Sequence, residues 1–208
     1  MSNIEINLKE IKEKQSNEYN VYYINAELFE NYFLFLDELD TSEKGRIKNI
    51  KSEYKKAQFL FTRIFLKKFI KEQYGFKNIE ISQSTLGKPI IKNVDKINIS
   101  IAHKEGVIFI GVSTNHIIGV DCEYINYKLF KQEYECLIWT MKESLFKALG
   151  IGFKYGINSF NVEMQNKKFN YMFSKKLEEY LKNTKIKTIE FEWFKKEDYI
   201  FTLCYLSK

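Results

Sequence analysis

The chain has 208 residues, of which 45% are apolar and 16% are aromatic. A chain of this length and composition can bury a sizeable core, as one large domain or two small lobes, which excludes a disordered tail. The formal net charge of +6 is moderate, and acidic residues are spread between the basic ones. This pattern gives little support to nucleic-acid binding and is compatible with an anionic substrate.

The three cysteines, Cys122, Cys136 and Cys204, are odd in number and widely spaced. We therefore expect buried free thiols, with no disulfide framework and no zinc site. The N-terminal residues lack the basic-then-apolar order of a signal peptide, and no apolar run approaches the roughly 20 residues that span a bilayer. We expect a soluble cytoplasmic protein with no membrane partner.

The first third of the chain predicts a strand followed by helices. Residues 21–24 are aromatic and β-branched, as is typical of a strand, and residues 28–39 are aromatic and helix-like. Thr41 or Ser42 is the predicted cap of a short polar helix. Apolar residues at three- and four-residue steps then predict a long amphipathic helix from residue 55 to Gly75.

The middle of the chain is predicted to be mainly extended. A short strand at 79–81 is followed by a Gly-Lys-Pro turn at 87–89. Residues 97–101 and 107–112 predict a hairpin with His103 at its tip. By itself, a histidine at such a position is most often polar surface.

Residues 118–123, Ile-Gly-Val-Asp-Cys-Glu, end a predicted strand. Because side chains two apart on a strand share a face, Asp121 and Glu123 are expected to point the same way. On position alone, acids at a strand end are most often solvated.

A helix is predicted over residues 139–147, Trp-Thr-Met-Lys-Glu-Ser-Leu-Phe-Lys. Glu143 and Lys147 lie four apart and therefore on one side of it. Such a pair is ordinarily a surface ion pair that contributes about 0.2–0.5 kcal/mol. The alternative is that Glu143 joins Asp121 and Glu123 in a cluster of carboxylates suited to Mg²⁺, with Lys147 beside a substrate phosphate.

The remainder predicts an α+β ending. Gly150 is a natural left-handed cap for the helix. Strands are expected at 160–163 and 168–171, and an antiparallel pair at 187–194 and 199–205 closes the chain.

Four short motifs, in the same order, resemble those of the 4′-phosphopantetheinyl transferase superfamily. They are Gly-Lys-Pro at 87–89, Ser-Ile-Ala-His at 100–103, and the acidic strand and Trp-Thr-Met-Lys-Glu-Ser helix described above. The length fits the larger, pseudo-dimeric (Sfp-type) members. That resemblance implies two similar lobes, residues 1–116 and 117–208, each a small antiparallel sheet packed with a long helix and related by a pseudo-twofold. We expect a monomer.

The resemblance also implies an activity, transfer of the phosphopantetheine arm of coenzyme A to a serine of an acyl or peptidyl carrier protein, with Mg²⁺. It assigns the metal to Asp121, Glu123 and Glu143. The catalytic residues are expected to be Glu143, as the base for the carrier serine, with Lys147 and Asp121. Lys88, His103 and Lys147 are expected to bind the phosphates of coenzyme A.

Three departures from the family pattern keep other interpretations open. Ala102 replaces a serine, Gln58 stands where some members have a basic residue, and residues 124–138 are fewer than the segment that helps larger members to dock their carrier. One alternative is therefore a relative that binds coenzyme A or a partner protein without catalysis. Another is a nucleic-acid-binding module, which would require lysines clustered on one face with exposed aromatic residues.

Overall fold

The computed structural model describes residues 11–15, 19–25, 32–130, 132–165 and 168–208. Within these ranges the helices are α1 (Thr41–Lys48), α2 (Glu53–Tyr74), α3 (Glu133–Leu149) and α4 (Lys175–Asn183), with 3₁₀ helices at Tyr32–Glu38 and Ile157–Ser159. The strands are β1 (Ile11–Gln15), β2 (Tyr19–Asn25), β3 (Ile81–Gln83), β4 (Pro89–Ile91), β5 (Asn98–Lys104), β6 (Val107–Ser113), β7 (Ile117–Tyr124), β8 (Phe160–Gln165), β9 (Lys168–Phe173), β10 (Thr188–Lys196) and β11 (Tyr199–Ser207).

The described strands form antiparallel sheets. The order is β1-β2-β6-β5 in one sheet and β10-β11-β7 in another, and β3–β4 and β8–β9 form two-stranded ribbons. The predicted mixture of helices and antiparallel sheets is therefore confirmed. The pseudo-twofold relation between two lobes and their boundary at residues 116 and 117 remain predictions.

Each large sheet packs on one long helix. Leu66 and Ile70 of α2 are fully buried against Ile108 and Ile110 of β6. In the same way, α3 buries Leu145 and other apolar residues against β11 in a second cluster, which also contains α4.

A third apolar cluster contains residues of both large sheets. Ala102 and Phe109, from the four-stranded sheet, lie in it with Val120 and Phe201 from the three-stranded sheet. The hydroxyl of Ser100 on β5 also accepts a hydrogen bond from the backbone N–H of Val120 on β7, at 2.9 Å. Strand β7 is thus held beside β5, which brings the motifs on the two strands together.

The helix boundaries correct two expectations from the sequence. Helix α1 is capped by Asp40, one residue before the predicted Thr41 or Ser42, because Asp40 and Glu43 exchange side-chain and backbone hydrogen bonds in a capping box. The predicted helix at 28–39 is a 3₁₀ helix at Tyr32–Glu38, and its earlier residues lie outside the described ranges. Helix α4 has no counterpart in the sequence-based prediction.

The structure also confirms the predicted ends of two helices and the predicted state of the cysteines. Gly75 and Gly150 end α2 and α3 in the left-handed conformation, with φ of +75° and +67°. The three cysteines are buried free thiols. None of the helices in the described ranges combines the length and the apolar character that a membrane crossing requires.

Gly119 allows α3 to lie directly on β7. A Cβ atom added at Gly119 would lie 2.0 Å from the backbone oxygen of Ser144 and 2.4 Å from the backbone nitrogen of Ala148. These obstacles are helix backbone and cannot rotate away. The glycine of the acidic motif therefore sets the spacing between the strand that carries Asp121 and the helix that carries Lys147.

We predict that Gly119→Ala lowers the free energy of unfolding by about 3 kcal/mol or more, because the added methyl group overpacks a helix–strand contact. Urea unfolding would measure the change. Gly45→Ala is the matched control: nothing lies within 4 Å of its added Cβ, so in helix α1 it is expected to stabilise the protein by about 0.5–1 kcal/mol. Equal stability of the Gly119→Ala variant and the wild-type protein would contradict this role of Gly119.

Candidate functional site

Strand β7 presents the two acids of the first motif beside helix α3. Asp121 is 5% exposed, whereas Glu123 is half-buried nearer the strand end. Cys122, between them, lies in the apolar cluster shared by the two large sheets. Because successive side chains of a strand point to opposite faces, the two acids lie on one face of β7 and Cys122 lies on the other, in the core.

Helix α3 carries Glu143 and Lys147 one turn apart. The helix is held to the sheet by the hydroxyls of Thr140 and Thr202, which lie 2.6 Å apart on α3 and β11. Because Thr202 pairs with Asp121 across the sheet, this contact anchors α3 close to the acidic strand.

Asp121 and Lys147 form an ion pair between the strand and the helix. The Lys147 Nζ atom donates to Asp121 Oδ1 at 2.6 Å. The other carboxylate oxygen, Oδ2, is buried and has no hydrogen-bond partner. A buried unpaired carboxylate oxygen is costly, so this atom is suited to receive a ligand.

Burial and nearby charges shift the pKa values of Asp121, Lys147 and Glu143. Burial raises the pKa of Asp121 to about 7 although Lys147 opposes the shift. Burial disfavours the ammonium ion of Lys147, but the carboxylates of Asp121 and Glu143 outweigh it and raise its pKa. The pKa of Glu143 is also raised, chiefly by burial. The site therefore concentrates titratable groups in a region of low polarity.

Glu123, the third predicted ligand, contacts a lysine that the sequence analysis did not single out. Its Oε2 atom lies 2.8 Å from the Nζ atom of Lys104, at the end of β5. Within the described residues, no three His, Cys, Asp or Glu side chains are placed together so that they could hold a metal ion. The structure thus brings Asp121, Glu143 and Lys147 together and directs Glu123 to Lys104.

The chemistry of the acids nevertheless fits a hard divalent cation. Mg²⁺ is bound in proteins by one or two carboxylates together with water and substrate phosphates. Asp121 offers the buried free Oδ2 oxygen, and Glu143 has a carboxylate within electrostatic range of Lys147 and Glu123. The assignment of the metal to Asp121, Glu123 and Glu143 stays a prediction.

A cavity of about 260 Å³ adjoins the ion pair, and its lining includes Lys88, Ser100, Glu143, Lys147 and Phe153. The Lys88 Nζ atom donates to the backbone oxygen of Ala148, 2.5 Å away at the C-terminal end of α3. Burial lowers the pKa of Lys88 to about 8. Lys88 is therefore beside a cavity, as a ligand contact requires, and also caps a helix end where a cation is favoured.

His103 lies near the end of β5 and is exposed to solvent. Its Nε2 atom is 3.2 Å from the hydroxyl of Thr62, which donates to the backbone oxygen of Gln58. Desolvation by the surrounding protein, together with the cations Lys147 and Arg63, lowers the pKa of His103 to about 4. A pKa of about 4 makes the ring neutral at pH 7.

A second cavity, of about 630 Å³, has His103 in its lining, together with Lys55, Gln58 and Lys104. Gln58 is 5% exposed and donates to the hydroxyl of Tyr54. Two lysines therefore border this cavity although Gln58 itself carries no charge.

Ala102 faces away from both cavities. It is 3% exposed within the apolar cluster that joins the two large sheets. Its replacement of the family's serine therefore changes a residue of the core in this chain.

Lys104 and Thr62 were missed by sequence reasoning. Lys104 directly follows His103, but its contact with Glu123 depends on β5 lying beside β7, which no local pattern indicates. Thr62 lies on α2, 41 residues before His103 in the chain. A polar residue on the buried side of an amphipathic helix was the available signal.

Two comparisons with known proteins bear on this site. Residues 121–204 match the family model of the 4′-phosphopantetheinyl transferase superfamily. The chain is also 28% identical over 165 residues to 4′-phosphopantetheinyl transferase gsp of Aneurinibacillus migulanus. This match covers 66% of this chain and 67% of that protein. These findings confirm the resemblance that the four motifs predict, and the family match includes Asp121, Glu123, Glu143 and Lys147.

We predict that Lys147→Met destabilises the protein more at pH 8 than at pH 5. At pH 5 Asp121, with a pKa of about 7, is protonated and needs no counter-ion. At pH 8 it is ionised in the wild-type protein, and in the variant its pKa rises further, so stability is lost as the pH rises through 7. We expect a loss of about 2 kcal/mol at pH 8, below that of a fully buried pair because Lys147 is 32% exposed.

Urea unfolding in the presence of a chelator would measure both losses. Lys195→Met removes a lysine that pairs with Glu133 at the surface and should cost less than about 1 kcal/mol at either pH. An equal loss at both pH values for Lys147→Met would show that Asp121 does not depend on this lysine.

Proposed function

We propose that this chain, which resembles the 4′-phosphopantetheinyl transferases in its motifs and over residues 121–204, transfers the phosphopantetheine arm of coenzyme A. The acceptor is a serine hydroxyl of an acyl or peptidyl carrier protein, and the product that leaves is adenosine 3′,5′-bisphosphate. A Mg²⁺ ion accompanies the reaction.

The observation that carries the proposal is the meeting of two separate motifs at one cavity. Asp121, from the strand motif, contacts Lys147 from the helix motif at 2.6 Å, and Lys147 and Glu143 line the cavity with Lys88 of the Gly-Lys-Pro turn. Transfer of a phosphoryl-type group requires mainly positioning and neutralisation of charge. Acids and lysines that converge from three parts of the chain supply both.

Glu143 is the proposed general base for the carrier serine. Burial is the chief cause of its raised pKa. A carboxylate with a raised pKa is a stronger base than that of a solvated glutamate, because its pKa lies closer to neutral pH. It stands at the open cavity, where a hydroxyl group from a second protein can approach. The proton of the serine hydroxyl passes to Glu143, directly or through one water, as the serine oxygen attacks phosphorus.

Lys88 and Lys147 are the proposed cationic contacts of the pyrophosphate. A lysine ammonium group binds phosphate as a point charge with three donors. A phosphate beside Lys88 would favour its protonated form and offset the burial that lowers its pKa to about 8. His103 is neutral in the free protein, and its ring would donate to a phosphate after taking up a proton.

The hydroxyl group of Thr62 determines which ring nitrogen of the neutral His103 carries its single proton. Thr62 has one hydroxyl hydrogen, which it donates to Gln58, so it accepts from His103 Nε2–H. The Nδ1 atom of the neutral ring then has a free lone pair. Donation to a phosphate from Nδ1 would require uptake of a proton.

Asp121, Glu123 and Glu143 are the proposed ligands of the Mg²⁺ ion. When bound, the ion supplies neutralisation of the charge that develops on the departing phosphate. Of the three acids, Asp121 presents a buried oxygen without a hydrogen-bond partner. Its ion pair with Lys147 keeps the carboxylate in a fixed orientation.

The short segment after Glu123 is the proposed contact for the carrier. Tyr127 and Leu129 in this segment are 67% and 70% exposed, and the segment leads directly into α3. Exposed apolar residues beside a catalytic helix suit a transient protein contact.

We predict that the purified protein, with coenzyme A and MgCl₂, increases the mass of at least one carrier protein by the mass of the arm. Asp121→Ala should lower the rate at least about 100-fold, because it removes charge stabilisation at the reacting phosphates. Intact-protein mass spectrometry against a panel of acyl and peptidyl carriers would measure both results.

Asp37→Ala is the matched control, since Asp37 is an exposed aspartate that pairs with Lys44 and should transfer at the wild-type rate. Circular dichroism would verify that both variants are folded. Transfer by Asp121→Ala at the wild-type rate would contradict the proposed site. Binding of coenzyme A without modification of any carrier would favour the binding-only alternative.

A further inference from the structure

Each acid of β7 contacts a lysine from a different element. Asp121 contacts Lys147 of α3 at 2.6 Å, and Glu123 contacts Lys104 of β5 at 2.8 Å. In both pairs the carboxylate is the more buried partner, with 7% and 20% of its side chain exposed against 32% and 28% for the lysine.

The contact with Lys104 gives Glu123 a partner other than Asp121 and Glu143. Glu123 is directed to the end of β5, and the described part of the chain contains no group of three acid, histidine or cysteine side chains placed to hold a metal. The Nζ atom of Lys104 lies 2.8 Å from the Oε2 atom of Glu123. The ammonium group of Lys104 is thus already paired with Glu123, the third predicted metal ligand.

We propose that Lys104 holds Glu123 out of the cation site in the free protein, so that the site binds a divalent cation tightly only together with the phosphates of the nucleotide cofactor. This inference rests on the proposed function, since it takes the cation and coenzyme A as the ligands. Lys104 acts through Glu123 and is therefore a positioning residue.

The physical reason is competition between like charges. A divalent cation at Asp121 and Glu143 would be repelled by the nearby ammonium groups of Lys104 and Lys147, and it would compete with them for the same carboxylates. A pyrophosphate brings negative charge to which lysines bind well. With the lysines drawn to the phosphates, Glu123 and Asp121 become available to the metal.

Such an arrangement couples the two ligands. If the cofactor raises the affinity for the cation by a given factor, the cation must raise the affinity for the cofactor by the same factor. The free enzyme would then carry little metal, and cation and coenzyme A would bind as a unit. Removal of Lys104 should weaken this coupling by improving the cation site of the free protein.

The test is Mn²⁺ binding to the full chain, measured with MnCl₂ by electron paramagnetic resonance, without a carrier protein. In the absence of coenzyme A, Lys104→Met should bind Mn²⁺ about tenfold more tightly than the wild-type protein. Lys104→Arg, which retains the charge, should bind like the wild type. Lys195→Met, which removes a surface lysine paired with Glu133, should also leave the affinity unchanged.

Saturating coenzyme A should tighten Mn²⁺ binding more in the wild-type protein than in Lys104→Met. A double-mutant cycle with Glu123→Gln then separates the ion pair from the general effect of removing a positive charge. In the Glu123→Gln background, Lys104→Met should tighten Mn²⁺ binding much less, because only the general effect of removing a positive charge remains.

The proposal is overturned if Lys104→Met leaves Mn²⁺ binding unchanged. It is also overturned if Lys104→Met tightens Mn²⁺ binding equally in the wild-type and the Glu123→Gln backgrounds. Failure of the proposed function would be distinguishable, because transfer to a carrier is measured separately. A protein that shows the predicted Mn²⁺ affinities and modifies no carrier would lose the transferase assignment and keep the role of Lys104. A protein that modifies a carrier, but in which Lys104→Met does not change the Mn²⁺ affinity, would keep the transferase assignment and lose the role of Lys104.

Discussion

The ion pair between Asp121 and Lys147 is the contact on which the site depends. It connects the strand and the helix that carry the acidic and basic motifs, at a point where Gly119 allows their backbones to approach. A buried carboxylate is costly without a partner, and here only one of its two oxygens is hydrogen-bonded. The protein therefore maintains a buried carboxyl group with an unpaired oxygen in a position that a folded core alone would not favour.

The surrounding packing determines what this acid can reach. The apolar cluster shared by the two large sheets holds β7 beside β5, which brings His103 and Lys104 to the acidic strand. Helix α3 simultaneously borders the cavity that contains Lys88. Backbone contacts thus bring groups from three distant parts of the sequence close to the two motifs, and lysines are paired with two of the acids.

Local patterns were sufficient to predict much of this fold. The periodicity of α2, the glycine caps at Gly75 and Gly150, and the strand that ends in Asp121 and Glu123 follow from spacing and backbone preferences. Helix α4 escaped prediction because it buries little beyond Leu177 and Leu181 among charged residues. The contact of Lys104 with Glu123 and the low pKa of His103 depend on tertiary neighbours, which one sequence read by itself does not provide.

The central claim is that Asp121 and Glu143 lie where a divalent cation meets the pyrophosphate of coenzyme A. Anomalous diffraction from crystals grown with MnCl₂ and coenzyme A tests it most directly. The account predicts a manganese peak bonded to Asp121 Oδ2 and to Glu143, with the pyrophosphate beside Lys88 and Lys147. An ordered coenzyme A with manganese bound elsewhere, or with these acids still paired only to lysines, would contradict it.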